Sequence, residues 1–183
     1  MSDTPLHWTI STHGEKTNYR IFSVYQHQAK HAPSNRQGHF TVVDSPDWVN
    51  VVALTPNDDV VLVRQFRHGT ETVTTELPGG LVDPGEDFIS AARRELQEET
   101  GFTADDWSLM GITEPNPAFL NNRCGLVLAR NARPTTQQNL DPNEVIQVAT
   151  HPLSGIPELI RTGVITHSLV VSAFYFFDRF NHS

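Results

Sequence analysis

A chain of 183 residues with 38% hydrophobic and 19% charged residues can bury the core of one ordinary domain and is not disordered in composition. Its 13 Lys and Arg against 21 Asp and Glu give a net charge of −8, which argues against a nucleic-acid polymer as partner. No apolar run approaches the ~20 residues that cross a bilayer, and no secretory signal is visible, so we expect no membrane partner. The single cysteine, Cys124, excludes an intrachain disulfide and predicts a cytoplasmic location.

The first part of the chain predicts short strands. Trp8–Ser11 and Tyr19–Gln28 have strand-like composition, and the polar stretch Lys30–Gly38 predicts a turn or loop. Trp48–Leu54 and Val60–Phe66 are rich in Val and Leu and are separated by turn-forming residues. They therefore predict a β-hairpin.

A helix from Asp87 to Thr100 is the clearest element, because its apolar residues recur at helical spacing and Gly101 follows as a stop signal. A short strand, Val73–Leu77, precedes it. The later predicted elements are three strands, Trp107–Thr113, Arg123–Ala129 and Val145–Thr150, and two helices, Leu153–Arg161 and His167–Phe180, the second with a composition that also suits a strand. Strands and helices mix without regular alternation, which predicts an α+β sandwich.

Three glutamates crowd the end of the predicted helix. Glu98 and Glu99 lie three and four positions after Glu95, so all three carboxylates share one stripe. Like charges at these spacings repel each other, and the helix dipole disfavours anions at this end. One interpretation is a solvated acidic face. The other is a site for Mg²⁺ or Mn²⁺, which prefer oxygen ligands, with Arg94 orienting one carboxylate.

The wider pattern decides between these interpretations, because it resembles the Nudix box, G-x5-E-x7-R-E-U-x-E-E-x-G-U, at every defined position. The matching residues are Gly80, Glu86, Arg94, Glu95, Leu96, Glu98, Glu99, Gly101 and Phe102. The resemblance implies a mixed α/β/α sandwich and a Nudix pyrophosphohydrolase that cleaves a nucleoside diphosphate linked to another group, using Mg²⁺ or Mn²⁺. It also implies a metal site formed by Glu95, Glu99, Glu98 and the carbonyl of Gly80, with Glu86 and Arg94 as supports.

The flanking residues suggest the substrate. Glu76-Leu-Pro-Gly-Gly80 and Val63-Arg-Gln-Phe-Arg67 resemble stretches of ADP-ribose and nucleoside diphosphate sugar pyrophosphatases. Arg64 and Arg67 are candidates for binding phosphate or stacking on a base, against the alternative that they pair with surface acids. Glu76 is an extra ligand or hydrogen-bond acceptor, or else a surface acid at a strand end.

Two later segments supply further candidates. The loop Glu114–Arg123 occupies the place of a proline-containing substrate loop in the resembling enzymes, and Asn121 and Asn122 could bind sugar hydroxyls. The segment Leu140–Val148 resembles a loop that supplies a general base. Glu144 is its best candidate and Asp141 the second, while a box glutamate such as Glu98 is the alternative.

The resemblance divides the chain into an N-terminal antiparallel β appendage, residues 1–45, that forms a homodimer, and a hydrolase domain, residues 46–183. The expected reaction converts ADP-ribose or a nucleoside diphosphate sugar into a nucleoside monophosphate and a sugar phosphate. Two alternatives are hydrolysis of another linked diphosphate (a dinucleotide, a dinucleoside polyphosphate or coenzyme A) and a non-catalytic nucleotide sensor. His167, one of nine histidines, opens the last predicted helix and could approach the site.

Overall fold

The computed structural model describes residues 6–181. One compact unit contains residues 6–46 and 114–123, and the other contains residues 47–113 and 124–181. The predicted substrate loop, 114–123, therefore belongs with the N-terminal strands. No helix within 6–181 has the length and apolar character needed to cross a membrane.

The first unit is built on an antiparallel sheet. Its strands are β1 (Thr9–His13), β2 (Thr17–Asn18), β3 (Ser23–His31) and β4 (Arg36–Asp44). β3 is central and pairs with the other three strands. This sheet agrees with the expected antiparallel appendage.

The predicted loop Lys30–Gly38 is too long. β3 continues to His31, a single 3-10 turn follows at Ala32–Ser34, and β4 begins at Arg36. Asn35 closes the turn in the left-handed conformation, with φ 54°. Polar side chains line most of β4, so no apolar alternation reveals the strand, and main-chain pairing with β3 along its whole length forms it instead.

The second unit contains a mixed six-stranded sheet and three helices among the described residues. The sheet order is β12-β6-β5-β10-β9, with β7 also paired to β6. The elements are β5 (Trp48–Leu54), β6 (Asp59–Arg67), β7 (Thr72–Glu76), α1 (Phe88–Thr100), β8 (Phe102–Thr103), β9 (Asp106–Thr113), β10 (Cys124–Arg130), β11 (Arg133–Pro134), β12 (Ile146–Pro152), α2 (Ile156–Arg161) and α3 (Ser168–Asn181). The predicted hairpin is β5–β6.

Helices cover both faces of this sheet. Side chains alternate along β5, so Val49 and Val51 pack on the α1 side with Leu96. Val52 packs on the opposite side with Phe174 of α3. Because β5 is buried on both faces, its sequence is a nearly continuous apolar run. The layers confirm the predicted α+β fold of α/β/α sandwich type.

The closing segment is a helix rather than a strand. Leu169, Val170, Ala173 and Phe174 are buried, and this spacing fits the single apolar stripe of a helix. The other predicted helix, Leu153–Arg161, begins as a 3-10 turn and becomes helical at Ile156.

Both ends of α1 are capped, and the C-terminal cap is the predicted stop residue, Gly101. The side chain of Asp87 accepts a hydrogen bond from the N–H of Ser90 at 2.7 Å. At the other end Gly101 adopts φ 72°, a conformation that favours glycine, and its N–H bonds to the carbonyl of Gln97 at 2.8 Å. The caps fix which residues form the last turn, and hence where Glu98 and Glu99 lie.

Candidate active site

The loop before α1 runs beside β5 and is held by main-chain hydrogen bonds. The N–H of Val51 donates to the carbonyl of Pro78, and the N–H of Val49 donates to the carbonyl of Gly80, each at 2.9 Å. The carbonyl of Gly80, a predicted metal ligand, keeps a second lone pair after this bond. The loop is therefore fixed before any ligand binds.

Two glycines allow this loop to lie close to β5 on one side and to α1 on the other. A Cβ atom on Gly79 would lie 2.0 Å from the carbonyl oxygen of Val49, and one on Gly80 would lie 2.5 Å from Oε1 of Glu95. The N–H of Gly79 donates to Oε2 of Glu99 at 2.9 Å. The Gly-Gly pair thus places a backbone N–H against Glu99 and leaves room beside Gly80 for the carboxylate of Glu95.

Arg94 joins the loop to the helix. Its guanidinium donates to both carboxylate oxygens of Glu86, at 3.1 and 2.9 Å, and to the carbonyl of Leu81 at 2.8 Å. It also reaches Oε1 of Glu95 at 2.8 Å and Oε2 of Glu98 at 3.2 Å. Glu86 and Arg94 thus connect the loop to the helix, and their role as supports of a metal site remains a prediction.

The three helix carboxylates differ in exposure. The side chain of Glu98 is 40% exposed, that of Glu95 13%, and Glu99 as a residue only 4%. Burial raises the pKa of Glu99 to about 8; the Gly79 N–H opposes this rise, and the charges of Glu95 and Glu144 add to it. Burial also raises the pKa of Glu95, although Arg94 acts against it. The cluster is therefore not a solvated acidic face.

The donors present fit a hard divalent cation. They are the carboxylates of Glu95, Glu98 and Glu99 and the carbonyl of Gly80, all oxygen ligands. A cation would offset the penalty that burial imposes on the charged form of Glu99. Within residues 6–181, no three His, Cys, Asp or Glu side chains converge as a metal-binding group. Nη1 of Arg94 bonds one oxygen of Glu95 and one of Glu98, so the other oxygen of each carboxylate would be the one that binds a cation.

The segment before β12 is anchored on the end of α1. Nε2 of Gln138 donates to the carbonyls of Glu99 and Ile146, at 2.6 and 3.2 Å. The N–H of Asn139 donates to the carbonyl of Glu98 at 2.8 Å. Sequence reasoning missed both anchors, since an amide in a polar loop carries no pattern of its own.

Glu144 is brought near the cluster by this anchored segment. Its charge raises the pKa of Glu95 and of Glu99. Its own carboxylate accepts the N–H of Asp141 at 3.0 Å, which closes a short turn. The structure therefore places Glu144, and not only the box glutamates, within electrostatic range of the site.

Arg67 and Glu76 form a two-point ion pair. Nε and Nη2 of Arg67 donate to the two carboxylate oxygens of Glu76 at 2.8 and 2.7 Å. Glu76 is buried, so the interpretation as a surface acid is wrong and it acts as a hydrogen-bond acceptor. Arg64 is exposed and donates to Gln147 at 3.4 Å, apart from this pair.

His167 lies just before α3 and is half-buried. Burial lowers the pKa of its imidazole, with the charge of Glu76 raising it and that of Arg67 lowering it. Its Nδ1 is enclosed and has no hydrogen-bond partner within residues 6–181. Leu77, Ile165 and Leu169 belong to one buried core cluster, which brings their chain neighbours Glu76 and His167 to the same part of the unit.

Asn121 and Asn122 are engaged within the first unit. Asn121 donates to Asp44 at 2.6 Å and accepts from the N–H of Ser45 at 3.3 Å. Asn122 is buried and donates to the carbonyl of Pro46 at 3.0 Å. Both amides tie the 114–123 segment to the end of the N-terminal sheet, and their predicted substrate contacts remain a prediction.

An α/β/α sandwich with a glycine loop and a carboxylate-bearing helix end defines a Nudix-type fold and site. The family model described as NUDIX domain matches residues 45–172, so the chain belongs to the Nudix family. Membership implies a general dependence on divalent metal ions.

Two of the relatives are named for activity on ADP compounds. The ADP compounds hydrolase NudE of Escherichia coli is 30% identical over 119 residues, which are 65% of this chain and 63% of that protein. The ADP-ribose pyrophosphatase of Saccharomyces cerevisiae is 38% identical over 108 residues, 55% of this chain and 46% of that protein. The matches thus span less than two thirds of either relative.

Two further matches cover a larger share of the matched protein. The ADP-ribose pyrophosphatase of Bacillus subtilis is 28% identical over 131 residues, 71% of each chain. A crystal structure of an ADP compounds hydrolase superposes with a TM-score of 0.83 at 24% identity, covering 94% of this chain and 92% of that one. This last likeness shows that the fold is shared.

Proposed function

We propose that the protein hydrolyses the pyrophosphate bond of ADP-ribose or a nucleoside diphosphate sugar, giving a nucleoside monophosphate and a sugar phosphate. The observation that carries this proposal is the buried carboxylate of Glu99. It has one N–H donor, from Gly79, and lies in the field of Glu95 and Glu144. Such a charge is stable at neutral pH only with a cation in front of it. The names of the relatives in E. coli, yeast and B. subtilis support this substrate class.

Each part of the site has a task in this reaction. Glu95, Glu98, Glu99 and the carbonyl of Gly80 would hold Mg²⁺ or Mn²⁺, which supplies neutralisation of the diphosphate charge and polarisation of the phosphoryl group. Arg94 fixes the loop against the helix, so the four ligand positions stay together. Arg67, locked by Glu76, offers the remaining N–H groups of its guanidinium to a phosphate oxygen.

A general base has to take a proton from the attacking water. Glu144 is our first candidate, because its segment is anchored to α1 through Gln138 and its carboxylate acts on Glu95 and Glu99. Its present bond to the N–H of Asp141 is a single exposed contact that a bound substrate can replace. Glu98, the most exposed helix carboxylate, is the second candidate.

The decisive experiment is a product assay. Purified protein with Mg²⁺ or Mn²⁺ is incubated with ADP-ribose, several nucleoside diphosphate sugars, NADH, diadenosine polyphosphates and coenzyme A, and the phosphate products are identified. Turnover of ADP-ribose or a sugar nucleotide, lost in Glu99→Gln, supports the proposal. Preferential turnover of another linked diphosphate would contradict the proposed substrate class and identify that compound's class instead. Binding without any turnover would favour the nucleotide sensor.

We also propose a cytoplasmic homodimer that uses the N-terminal sheet. Ile10 and Phe40 are exposed apolar side chains on this sheet. Such side chains favour a covering partner, and a second copy covers them symmetrically. Light scattering of the intact chain and of Phe40→Glu tests this, since a mass unchanged by the substitution would count against the sheet as the contact. Cys124 is free and buried, as suits a reducing compartment.

A further inference from the structure

The imidazole of His167 has one closed edge and one open edge. Nδ1 is enclosed by protein and makes no hydrogen bond within the described residues. Nε2 makes none there either, yet it is not among the enclosed atoms, so it remains accessible. A buried N–H without an acceptor is costly, so the proton of the neutral ring belongs on Nε2. The accessible edge is therefore an N–H donor.

Arg67 presents a second unused donor. Its Nε and Nη2 are both taken by Glu76, while Nη1 has no partner among residues 6–181. Glu76 in turn accepts from Arg67 twice and from the hydroxyl of Thr74, so little acceptor capacity is left for His167. The ion pair thus fixes the orientation of the guanidinium and leaves the N–H groups of Nη1 available to a ligand.

The surroundings of these donors match a phosphate group. The charge of Arg67 lowers the pKa of Glu99, and the charges of Glu99 and Glu144 raise the pKa of Arg67. Glu76 also lies three residues before Gly79, whose N–H donates to Glu99 at 2.9 Å, so the pair is near the carboxylate cluster. A sugar hydroxyl would need an acceptor as well as a donor, and Glu76 is already occupied. An anionic oxygen with several lone pairs accepts from both donors.

We propose that His167 is a substrate-binding residue whose Nε2–H, together with Nη1 of Arg67, donates to a phosphate oxygen of the bound nucleoside diphosphate derivative. This assignment rests on the proposed function, and nothing in the Nudix box pattern requires a histidine at this position. Burial, which lowers the pKa of the ring, keeps it neutral at pH 7. The donor is therefore present at neutral pH without adding a charge.

Steady-state kinetics of two variants test the proposal. His167→Leu removes the donor and keeps an apolar body, and we expect KM to rise roughly tenfold to a hundredfold, with kcat within about threefold. His167→Gln restores an N–H donor close to the position of Nε2, and its KM should lie within about threefold of the native value. His151, whose Nδ1 already lies 3.0 Å from the carbonyl of Pro152, is the matched control, and His151→Leu should leave KM unchanged.

A purely structural role predicts a different result. His167→Leu and His167→Gln would then both lower the melting temperature, and KM would not separate them. Unchanged KM in a folded His167→Leu protein would overturn the assignment.

A binding measurement that needs no turnover tests the role of His167 independently of the proposed function. Calorimetry with α,β-methylene-ADP and Mg²⁺ should give a weaker Kd for His167→Leu than for the native protein, even if no linked diphosphate is hydrolysed. An equal Kd would refute the role of His167 while leaving hydrolysis, measured separately on the native protein, unaffected.

Discussion

Replacement of Glu99 by Gln should make the metal-free protein more stable at alkaline pH while abolishing its activity. Glu99 is 4% exposed as a residue, and the pKa of its carboxylate is raised from 4.5 to about 8, chiefly by burial. Folding therefore favours the protonated form. The contribution of this group to stability is fully present below pH 4.5 and is lost as pH rises towards 8.

The size of this loss follows from the two pKa values. At about 1.4 kcal/mol per tenfold change in ionisation, the free energy of unfolding should fall by roughly 3 kcal/mol between pH 5 and pH 8 in the native protein. Glutamine has no charge to lose and keeps an oxygen for the N–H of Gly79. Any constant packing cost of the amide cancels when pH values are compared.

Urea unfolding in EDTA at pH 5, 6, 7 and 8 measures the effect. The free energy of unfolding of Glu99→Gln should exceed that of the native protein by an amount that grows with pH. At pH 8 the accumulated difference corresponds to a melting temperature higher by roughly 6–12 °C in the variant. Mg²⁺ should stabilise the native protein and not the variant. Glu98→Gln is the control, because that side chain is 40% exposed and its replacement should change stability by less than about 0.5 kcal/mol. Parallel pH curves for native protein and Glu99→Gln would refute the claim that burial suppresses this charge.

Further outcomes are expected around the same site. Gly80→Ala should lower kcat by at least about a hundredfold, because a Cβ would lie 2.5 Å from Oε1 of Glu95; near-native turnover would contradict the close approach. Arg67→Lys should raise KM by roughly tenfold, because an ammonium cannot keep the two-point pair with Glu76, and an unchanged KM would count against phosphate binding there. Glu144→Gln should reduce kcat about a hundredfold with little change in KM if Glu144 is the base, and the pH–rate profile should lose its acidic limb. Dialysis against EDTA should abolish turnover, and Mg²⁺ should restore it; metal-independent activity would exclude the proposed role of the cation.

Much of the second unit follows from local sequence. The apolar run of β5, the turn-forming residues after it and the helical spacing of apolar residues in α1 are local patterns, and each predicted the element that the structure has. The first unit is different, because most side chains of β4 are polar and partly or wholly exposed. β4 forms through main-chain pairing with β3, and no alternation of apolar and polar residues indicates this pairing in the sequence.

The candidate site divides in the same way. The spacing of Glu95, Glu98 and Glu99 and the Gly-Gly pair are visible in the sequence, because one helix turn and one loop bring them together. Which carboxylate is buried is not visible, since it depends on how α1 packs on β5. The anchoring of the Glu144 segment by Gln138 joins residues far apart in the chain.

The sequence by itself determined the family, the helix that carries the carboxylates and the loop that faces it, because these depend on contacts within about 20 residues. Only the tertiary structure decided that Glu76 is a buried partner of Arg67, that Asn121 and Asn122 tie a loop to the N-terminal sheet, and that His167 keeps one edge open. The physical reason is that burial and hydrogen-bond pairing depend on neighbours that folding brings together from distant parts of the chain, and local sequence patterns do not show which residues these are.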